Sequence, residues 1–459
     1  MNLNNYKNIY FIGIGGIGMS ALARYFKLMG KTIAGYDKYE TELTIELQNE
    51  NIPVIYNESV NFIPHNFLNS KNTLIIYTPA IPAEHPQLNY FKENHFVIIK
   101  RAQALGLITE NTQTIAVCGT HGKTTTSTLL AHLFKSAQKN ITAFLGGISQ
   151  NYNTNLLLGI PNQPEHRVIV EADEYDRSFL TLHPNTILCT SLDADHLDIY
   201  QTKESMLSSY YQFFSQIKTN GNFIYNQNLN PQKPRNANHF SYSLTDSTAS
   251  AFAANIQIKN NHYVFNLVTP YGTIPDINFG YPGLHNIENA VGASIAALLN
   301  GLSLEEIKNG LETFKGVKRR YEIHLNTPQT VLIDDYAHHP TELEAFIHSV
   351  KTFYNNKKIT GIFQPHLFTR TRDFGNEFAK ALELLDEIYL LEIYPARELP
   401  IPGITSQWLA GKITNKPVKV LNEQQLLQEL KTNKPQVLLT IGAGNIYQLI
   451  PQIKQTLNE

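Results

Sequence analysis

Thr114-Ile115-Ala116-Val117-Cys118-Gly119-Thr120-His121-Gly122-Lys123-Thr124-Thr125-Thr126 is the stretch whose reading decides the fold. The apolar run 114–118 predicts a buried strand, and residues 127–134 predict a helix. A glycine turn ending in Gly-Lys-Thr-Thr joins them. Strand, turn and helix in that order make a phosphate loop. Gly119, Thr120, His121, Gly122 and Thr125 belong to the turn and the first helical residues, whose N–H groups and positive end hold a polyphosphate; Lys123 reaches its terminal oxygens and the Thr124 hydroxyl reaches a Mg2+ ion. The usual pattern has a glycine five positions before Gly122, and here that position is Val117, which leaves the short G-x-x-G-K-T-T form. The plainer alternative is a tight turn without a ligand, and Gly-Lys-Thr-Thr at a strand-to-helix junction argues against it.

The chain has 459 residues, too many for one core, and domains of roughly 150 residues imply about three. Its 42% hydrophobic and 17% charged content is that of a soluble globular protein. No run approaches the roughly 18 to 20 apolar residues of a membrane span, and the N-terminus, Met1-Asn2-Leu3-Asn4-Asn5-Tyr6-Lys7, lacks an apolar signal core. A cytoplasmic protein with no membrane insertion is expected. The net charge of -2 offers no basic footprint for nucleic acid. Cys118 and Cys189 both lie in apolar, strand-like runs and read as small buried hydrophobes rather than a disulfide or metal ligands. Composition leaves the oligomeric state, monomer or dimer, open.

Before the phosphate loop, a strand over residues 8–12 leads into Gly13-Ile14-Gly15-Gly16-Ile17-Gly18-Met19-Ser20, which fits G-x-G-x-x-G and opens a helix to Leu28; the next strand, 31–36, ends at Asp37. Alone this points to a dinucleotide, with Asp37 placed for a ribose. Another nucleotide diphosphate satisfies it equally, because a pyrophosphate and a close helix select the glycines, not nicotinamide. Residues 1–110 therefore read as a small α/β nucleotide domain.

After the phosphate loop, Phe144-Leu145-Gly146-Gly147-Ile148 reads as a glycine turn, followed by a polar loop with Tyr152-Asn153-Thr154-Asn155. Strand 167–170 ends in Glu171-Ala172-Asp173-Glu174-Tyr175-Asp176, and strand 186–190 in Ser191-Leu192-Asp193-Ala194-Asp195-His196-Leu197-Asp198. Strand carboxyl ends face the ligand crevice of an open α/β sheet, so Glu171 and His196 are placed to complete the metal shell begun by Thr124. Mg2+ prefers oxygen, and the histidine therefore points to a second metal position. The plainer alternative for these acids is a solvated loop, and it weighs more for Asp173, Glu174 and Asp176 than for Glu171. Residues 222–282 turn to short alternating runs, read as antiparallel strands. In the following helix Asn286 and Asn289 stand three apart on one face, as purine ligands or as caps.

A hinge, Lys315-Gly316-Val317-Lys318-Arg319-Arg320-Tyr321-Glu322, leads into a third strand-and-helix alternation. Its first strand ends in Asp334-Asp335-Tyr336-Ala337-His338-His339-Pro340 and its second in Gln364-Pro365-His366-Leu367-Phe368-Thr369-Arg370-Thr371-Arg372. These are expected to be neighbouring strands that bring histidines, acids and arginines together. The fold class is α/β with three domains: a Rossmann-like N-terminal domain (1–110), a central P-loop ATPase-like domain with added antiparallel strands (111–315) and a Rossmann-like C-terminal domain (316–459).

Seven of these motifs together, in order, resemble the Mur ligases of peptidoglycan synthesis: the first glycine loop, Gly-Thr-His-Gly-Lys-Thr-Thr, Glu-Ala-Asp-Glu-x-Asp, Asp-Ala-Asp-His-Leu-Asp, Gly-x-His-Asn-x-x-Asn-Ala, Gly-x-x-Arg-Arg and Asp-Asp-Tyr-Ala-His-His-Pro. Within that family Gln364-Pro365-His366, Thr369-Arg370-Thr371-Arg372 and Thr440-Ile441-Gly442-Ala443-Gly444 are similar to the branch that adds L-alanine. The rival is the branch that returns an intact L-Ala-γ-D-Glu-diaminopimelate tripeptide to the same sugar nucleotide. Leu367 replaces an arginine usual in the alanine-adding branch, and Ser191 an asparagine. The resemblance implies an ATP- and Mg2+-dependent enzyme joining L-alanine to the lactyl carboxylate of UDP-N-acetylmuramate through an acyl phosphate. It implies that Lys123 draws on the β and γ phosphates, and that Thr124, Glu171 and His196 hold metal. Asn286 and Asn289 would lie near the adenine or the metal, Asp335 at the ribose, and Arg319 or Arg320 at the γ-phosphate across the domain boundary. Tyr336, His338, Arg370 and, as a helper, Arg372 would lie near the amino acid. Gly15, Gly16, Ile17, Gly18 and Asp37 would bind the UDP portion. His338 is the candidate to remove a proton from the amine, of which only about one-tenth is neutral at pH 7 for a pKa of about 8. A nicotinamide oxidoreductase and a nucleotide switch without a covalent product are the readings outside the family; the first leaves the phosphate loop unexplained, and ATP hydrolysis that needs no sugar nucleotide would mark the second.

Overall fold

Strand β1 (Asn8–Ile12) is buried along its length. Ile9 and Phe11 enter one core and Tyr10 and Ile12 another, as the two-residue period of a strand with both faces covered requires. Around it lie β2 (Thr32–Tyr36), β3 (Val54–Ile55), β4 (Thr73–Tyr77) and β5 (Val97–Lys100), in the order β3-β2-β1-β4-β5 and all parallel. The strand order reverses at β1, so the crevice for a ligand lies at the carboxyl ends of β1 and β4. The structure is a computed structural model and describes residues 3–110, 112–161, 163–193, 197–259, 262–396 and 398–458.

The second sheet contains β6 (Gln113–Cys118), β7 (Ile141–Ser149), β8 (Thr154–Leu157), β9 (Arg167–Glu171), β10 (Thr186–Cys189), β11 (Gly221–Asn226), β12 (Ala237–Ser243), β13 (Ala251–Lys259), β14 (His262–Thr269) and β15 (Gly272–Phe279). Their order is β15-β14-β13-β12-β11-β10-β6-β9-β7-β8. The phosphate-loop strand β6 thus lies between β10 and β9, and the helix Lys123–Ser136 that follows is buried at every residue of 124–134. Cys118 and Cys189 face each other in register on β6 and β10, both as buried free thiols.

Two expectations for this region are corrected. Phe144-Leu145-Gly146-Gly147-Ile148 is not a turn but part of β7, which reverses only after Ser149 to pair antiparallel with β8. Gly146 serves close approach instead: a Cβ there would sit 2.2 Å from Glu171 Oε2. The strands expected to be antiparallel begin as a continuation of the parallel sheet, since β11 pairs parallel with β10, β12 with β11 and β13 with β12. The helix Lys203–Ser215 supplies the crossover that makes β11 parallel. The alternating text belongs to β14 and β15, whose two-residue link has the length of a hairpin.

The third sheet contains β16 (Glu322–Asn326), β17 (Val331–Asp335), β18 (Ile359–Phe363), β19 (Glu387–Leu390), β20 (Val418–Val420) and β21 (Val437–Ile441), ordered β16-β17-β21-β18-β19-β20. Only β16 runs antiparallel to its neighbour. The expectation that β17 and β18 are neighbours is corrected, because the fully buried β21 pairs with both. Their ends still converge, because β21 is followed by glycines. A Cβ at Gly442 would sit 2.6 Å from the Gln364 carbonyl oxygen, and one at Gly444 2.3 Å from Gln364 Oε1.

The chain forms two compact units. The first holds the first sheet and most of the second, which share a core in which the Tyr25 and Phe144 rings lie 5.5 Å apart. The second holds residues from Lys315 onward together with Ile258–Tyr263 and Phe279–Asn286. Inside it Tyr263 meets Phe353 edge-on at 4.9 Å, and the Tyr281 hydroxyl donates to the Arg320 carbonyl at 2.8 Å. Among the described residues no helix is long and apolar enough to cross a membrane.

Candidate active site

The phosphate loop is built by two left-handed glycines, Gly119 (φ 130°) and Gly122 (φ 80°), a conformation that favours glycine. Loop shape is held from β10's end: the His121 N–H donates to Ser191 Oγ at 2.6 Å, and Thr120 Oγ1 lies 3.0 Å from the same oxygen. Lys123 Nζ donates to the Gly119 carbonyl at 2.7 Å and to Glu174 Oε1 at 2.8 Å. Burial works against its charge, and the carboxylates of Glu174 and Glu171 outweigh that, so Lys123 titrates above an ordinary lysine. Thr124 Oγ1 donates to Glu171 Oε1 at 3.0 Å, and the Gly146 N–H to Glu171 Oε2 at 3.1 Å. Thr125 is buried on the first helical turn. Asn289 brings its Oδ1 to 3.0 Å from where a Cβ of Gly122 would be, and the Asn286 amide donates to the Pro282 carbonyl. His196 lies outside the described residues.

The first glycine loop opens on a cavity of about 310 Å³ whose lining runs from Gly16, Ile17 and Gly18 to Arg101, Glu171 and Asp173. It joins the carboxyl end of β1 to that of β9. Asp37 brackets the loop, accepting from the Gly15 N–H at 2.7 Å and from the Lys38 N–H at 2.8 Å. Asn155 crosses from β8 to donate its amide to the Ile17 carbonyl at 2.5 Å.

At the carboxyl end of the third sheet the two hinge arginines differ. The Arg319 guanidinium lies between the Tyr336 and Tyr447 rings, 4.9 and 4.6 Å from their centres, donates to the Gly442 and Gly444 carbonyls and lies 3.4 Å from buried Asp334. Among the described residues Arg320 has no such bonds, and it directs its charge toward Asp335, His285 and His338, whose titrations it shifts. Asp335 accepts from the Tyr321 and Ala337 N–H groups, both at 2.8 Å. Burial, helped by neighbouring Asp334, pushes it up to about 7 against those two bonds and Arg320. His338 Nδ1 lies 3.1 Å from the Tyr336 carbonyl and 3.3 Å from Glu342 Oε2. A carbonyl accepts only, so Nδ1 carries the proton and Nε2 keeps the lone pair. Burial lowers the His338 pKa, and Glu342 offsets this only in part. The His338 and His366 rings lie 6.1 Å apart. Arg370 acts electrostatically on both histidines, while Arg372 is set apart, half exposed and 2.7 Å from Asp373. Glu322, His324 and Asp334 bring ligand atoms within 4.8 Å of one another, but the Arg319 guanidinium already supplies the positive charge there.

Comparison with known proteins joins these pieces. Family models for the Mur ligase family catalytic domain, the Mur ligase middle domain and the Mur ligase glutamate ligase domain match residues 8–113, 117–297 and 319–444. The chain belongs to the Mur ligase family. It is 45% identical over 459 residues to the UDP-N-acetylmuramate--L-alanine ligase of Flavobacterium johnsoniae, covering all of both chains. The UDP-N-acetylmuramate-alanine ligase of Thermotoga maritima has a similar structure, with a TM-score of 0.81 and 26% identity over 98% of this chain and 99% of that one. A murein peptide ligase of Psychrobacter arcticus shares the fold, with a TM-score of 0.72 and 20% identity over 99% of each chain.

For this Mur ligase, three residues shape the site in ways the sequence reading did not anticipate. Glu174, for which a solvated loop was the plainer alternative, is fully buried and ion-paired to the phosphate-loop lysine; its place in the strand-end acidic motif after Glu171 was its only signal. Ser191 reads as a departure from the Mur pattern, yet its hydroxyl shapes the loop. Arg101 starts the helix Arg101–Glu110, and nothing along the chain distinguishes it from a surface arginine.

Proposed function

We propose that this chain joins L-alanine to the lactyl carboxylate of UDP-N-acetylmuramate, with conversion of ATP to ADP and phosphate, in the synthesis of peptidoglycan precursors. The observation that carries the reading is full-length identity of 45% to a relative named for that reaction. The murein peptide ligase likeness is one of fold, so the tripeptide-adding alternative is not favoured. Residues 1–110 would take the UDP-sugar through Gly15, Gly16, Ile17 and Gly18, with Asp37 holding their loop in shape. Residues 111–315 would take ATP, and residues 316–459 the amino acid. A cytoplasmic setting belongs to the same reading, since the reaction consumes ATP and a nucleotide sugar.

In the reaction, a lactyl carboxylate oxygen attacks the γ-phosphorus of ATP; the new O–P bond forms as the bond to the β-phosphate oxygen breaks, giving an acyl phosphate and ADP. The amine of L-alanine then attacks the acyl carbon, phosphate leaves with the electron pair of its C–O bond, and the amine gives up a proton. Positioning and charge dominate phosphoryl transfer. Lys123 is released from Glu174 to the terminal phosphate oxygens, while the N–H groups of residues 119–125 hold the chain of phosphates. The donor set at Thr124 Oγ1 and Glu171 is all oxygen, the hard set Mg2+ selects, so these two residues fit the ion; His196 is retained as the second-position ligand. When bound, Mg2+ supplies neutralising charge at the phosphate oxygens. Of the two hinge arginines, Arg320 is assigned to phosphate, because Arg319 is held by Gly442, Gly444 and Asp334. Asp335 steadies the Arg320–Tyr321 turn beside the ribose position, and Asn289 abuts the phosphate loop at Gly122. His338 Nε2 takes the amine proton, and Arg370, with Tyr336 alongside, receives the alanine carboxylate.

The test is phosphate release with ATP, Mg2+ and UDP-N-acetylmuramate, adding L-alanine or the L-Ala-γ-D-Glu-diaminopimelate tripeptide in parallel. Turnover with alanine alone is expected. Turnover with the tripeptide instead would overturn the substrate assignment and leave the acyl-phosphate chemistry standing.

A further inference from the structure

Arg101 follows β5 directly, and its side chain lies against Gly18 at the end of the first glycine loop. A Cβ at Gly18 would sit 2.8 Å from Nη1 and 3.2 Å from Cδ, so the glycine there seats the arginine as much as it opens the helix. The guanidinium lines the cavity of about 310 Å³ together with Gly16, Gly18, Glu171 and Asp173. Its described partner is Asp173, whose Oδ2 lies 4.0 Å from Nη2, with the arginine side chain 30% exposed. A pair that long and that wet contributes little to stability. Among the described residues Arg101 is the one cation in that lining, which otherwise carries Glu171 and Asp173. An anion entering between the glycine loop and these two carboxylates would be repelled unless Arg101 met it.

We infer that Arg101 is the group that recognises the diphosphate of the nucleotide sugar, and that Asp173 is the counter-ion from which it is released when that diphosphate arrives. The inference rests on the sugar-nucleotide reading of the first glycine loop and adds to it a residue outside that loop. The planar guanidinium fork matches two oxygens of a diphosphate at once, which an ammonium group does not. Arg101 thus acts as a substrate-binding residue reached from the fifth strand, on the far side of β4 from the loop it covers.

The experiment measures binding of UDP, UDP-N-acetylmuramate and ATP by titration calorimetry to the full-length wild type, Arg101→Ala, Arg101→Lys and Asp173→Asn. Expected for Arg101→Ala is a loss of about ten- to a hundredfold for both uridine nucleotides, the size of a charge-assisted contact, with ATP binding within about twofold. Arg101→Lys should restore only part of it, and Asp173→Asn should bind UDP more tightly than wild type. A merely structural Arg101 would lower the melting temperature and move all three ligands alike; that result, or an Arg101→Ala protein that binds UDP-N-acetylmuramate as wild type does, overturns the inference. Arg101-dependent UDP binding in a protein that forms no phosphate with L-alanine would support it while removing the ligase reading. A wild type that binds no uridine nucleotide overturns both.

Discussion

Arg319 and Arg320 are adjacent, and each presents the same guanidinium to a different environment. Arg319 compensates Asp334, which is fully buried, so Arg319→Ala should destabilise the second unit by about 3 kcal/mol, the cost of leaving a buried charge unpaired. Arg320→Ala should melt as wild type does and lose turnover by about a thousandfold, the scale of an arginine acting on a transferring phosphoryl group. Thermal melts and phosphate release on the two variants separate the roles; equal melting losses would return the assignment to open. Arg370→Ala should raise the KM for L-alanine by about ten- to a hundredfold, since a charged hydrogen bond is worth about 1.5 to 3 kcal/mol, and leave that for ATP within about twofold. A rise shared by both substrates would move Arg370 away from the amino acid. The Gly-x-x-Arg-Arg motif was legible in the sequence, but the choice between its arginines was not, because carbonyls more than a hundred residues away hold Arg319.

The helix Lys123–Ser136 carries the phosphate loop at one end and His132 along its length. His132 is buried, with Nδ1 2.9 Å from the Tyr152 hydroxyl and Nε2 3.0 Å from Thr313 Oγ1. Burial lowers its pKa to about 4, against about 6.5 in the unfolded chain. The unfolded state therefore binds the extra proton between those values. Stability is complete above pH 6.5 and declines as the pH falls toward 4, by up to about 3 kcal/mol from this group. Urea midpoints at pH 7 and pH 4.5 should show the decline, and His132→Gln, which keeps a donor and an acceptor without titrating, should reduce it. An unchanged pH dependence in the variant would place the titration elsewhere. The helix itself was legible from the run after Gly122; the partners of His132 lie on a β-turn loop and at the end of another helix, which periodicity does not connect.

At the scale of the molecule, the second unit draws on two short segments, Ile258–Tyr263 and Phe279–Asn286, that precede its main span in the chain. Tyr263 is 2% exposed and Tyr281 4% exposed, with partners at Phe353 and the Arg320 carbonyl. A chain ending at Phe314 would therefore keep its first two sheets and expose both tyrosines. It should bind a hydrophobic dye and melt roughly 5 to 10 °C lower than the full chain, given about 1.5 to 3 kcal/mol per large side chain uncovered. A truncated chain as stable as the whole would mean that these segments do not depend on the rest of their unit.

By itself the sequence determined the phosphate loop, the first glycine loop, three successive α/β blocks and the order of motifs that places the chain among the Mur ligases. Those features are local: glycine positions, strand and helix periods, and a lysine and a threonine at a helix start all act on their immediate neighbours along the chain. Only the tertiary structure decided that β21 separates β17 from β18, that β11 to β13 extend a parallel sheet, that Glu174 is the buried partner of Lys123 and that Arg101 lies over Gly18. Each of these depends on which strands pair or which side chains meet across a fold, and burial and close packing, rather than any signal along the chain, make that selection.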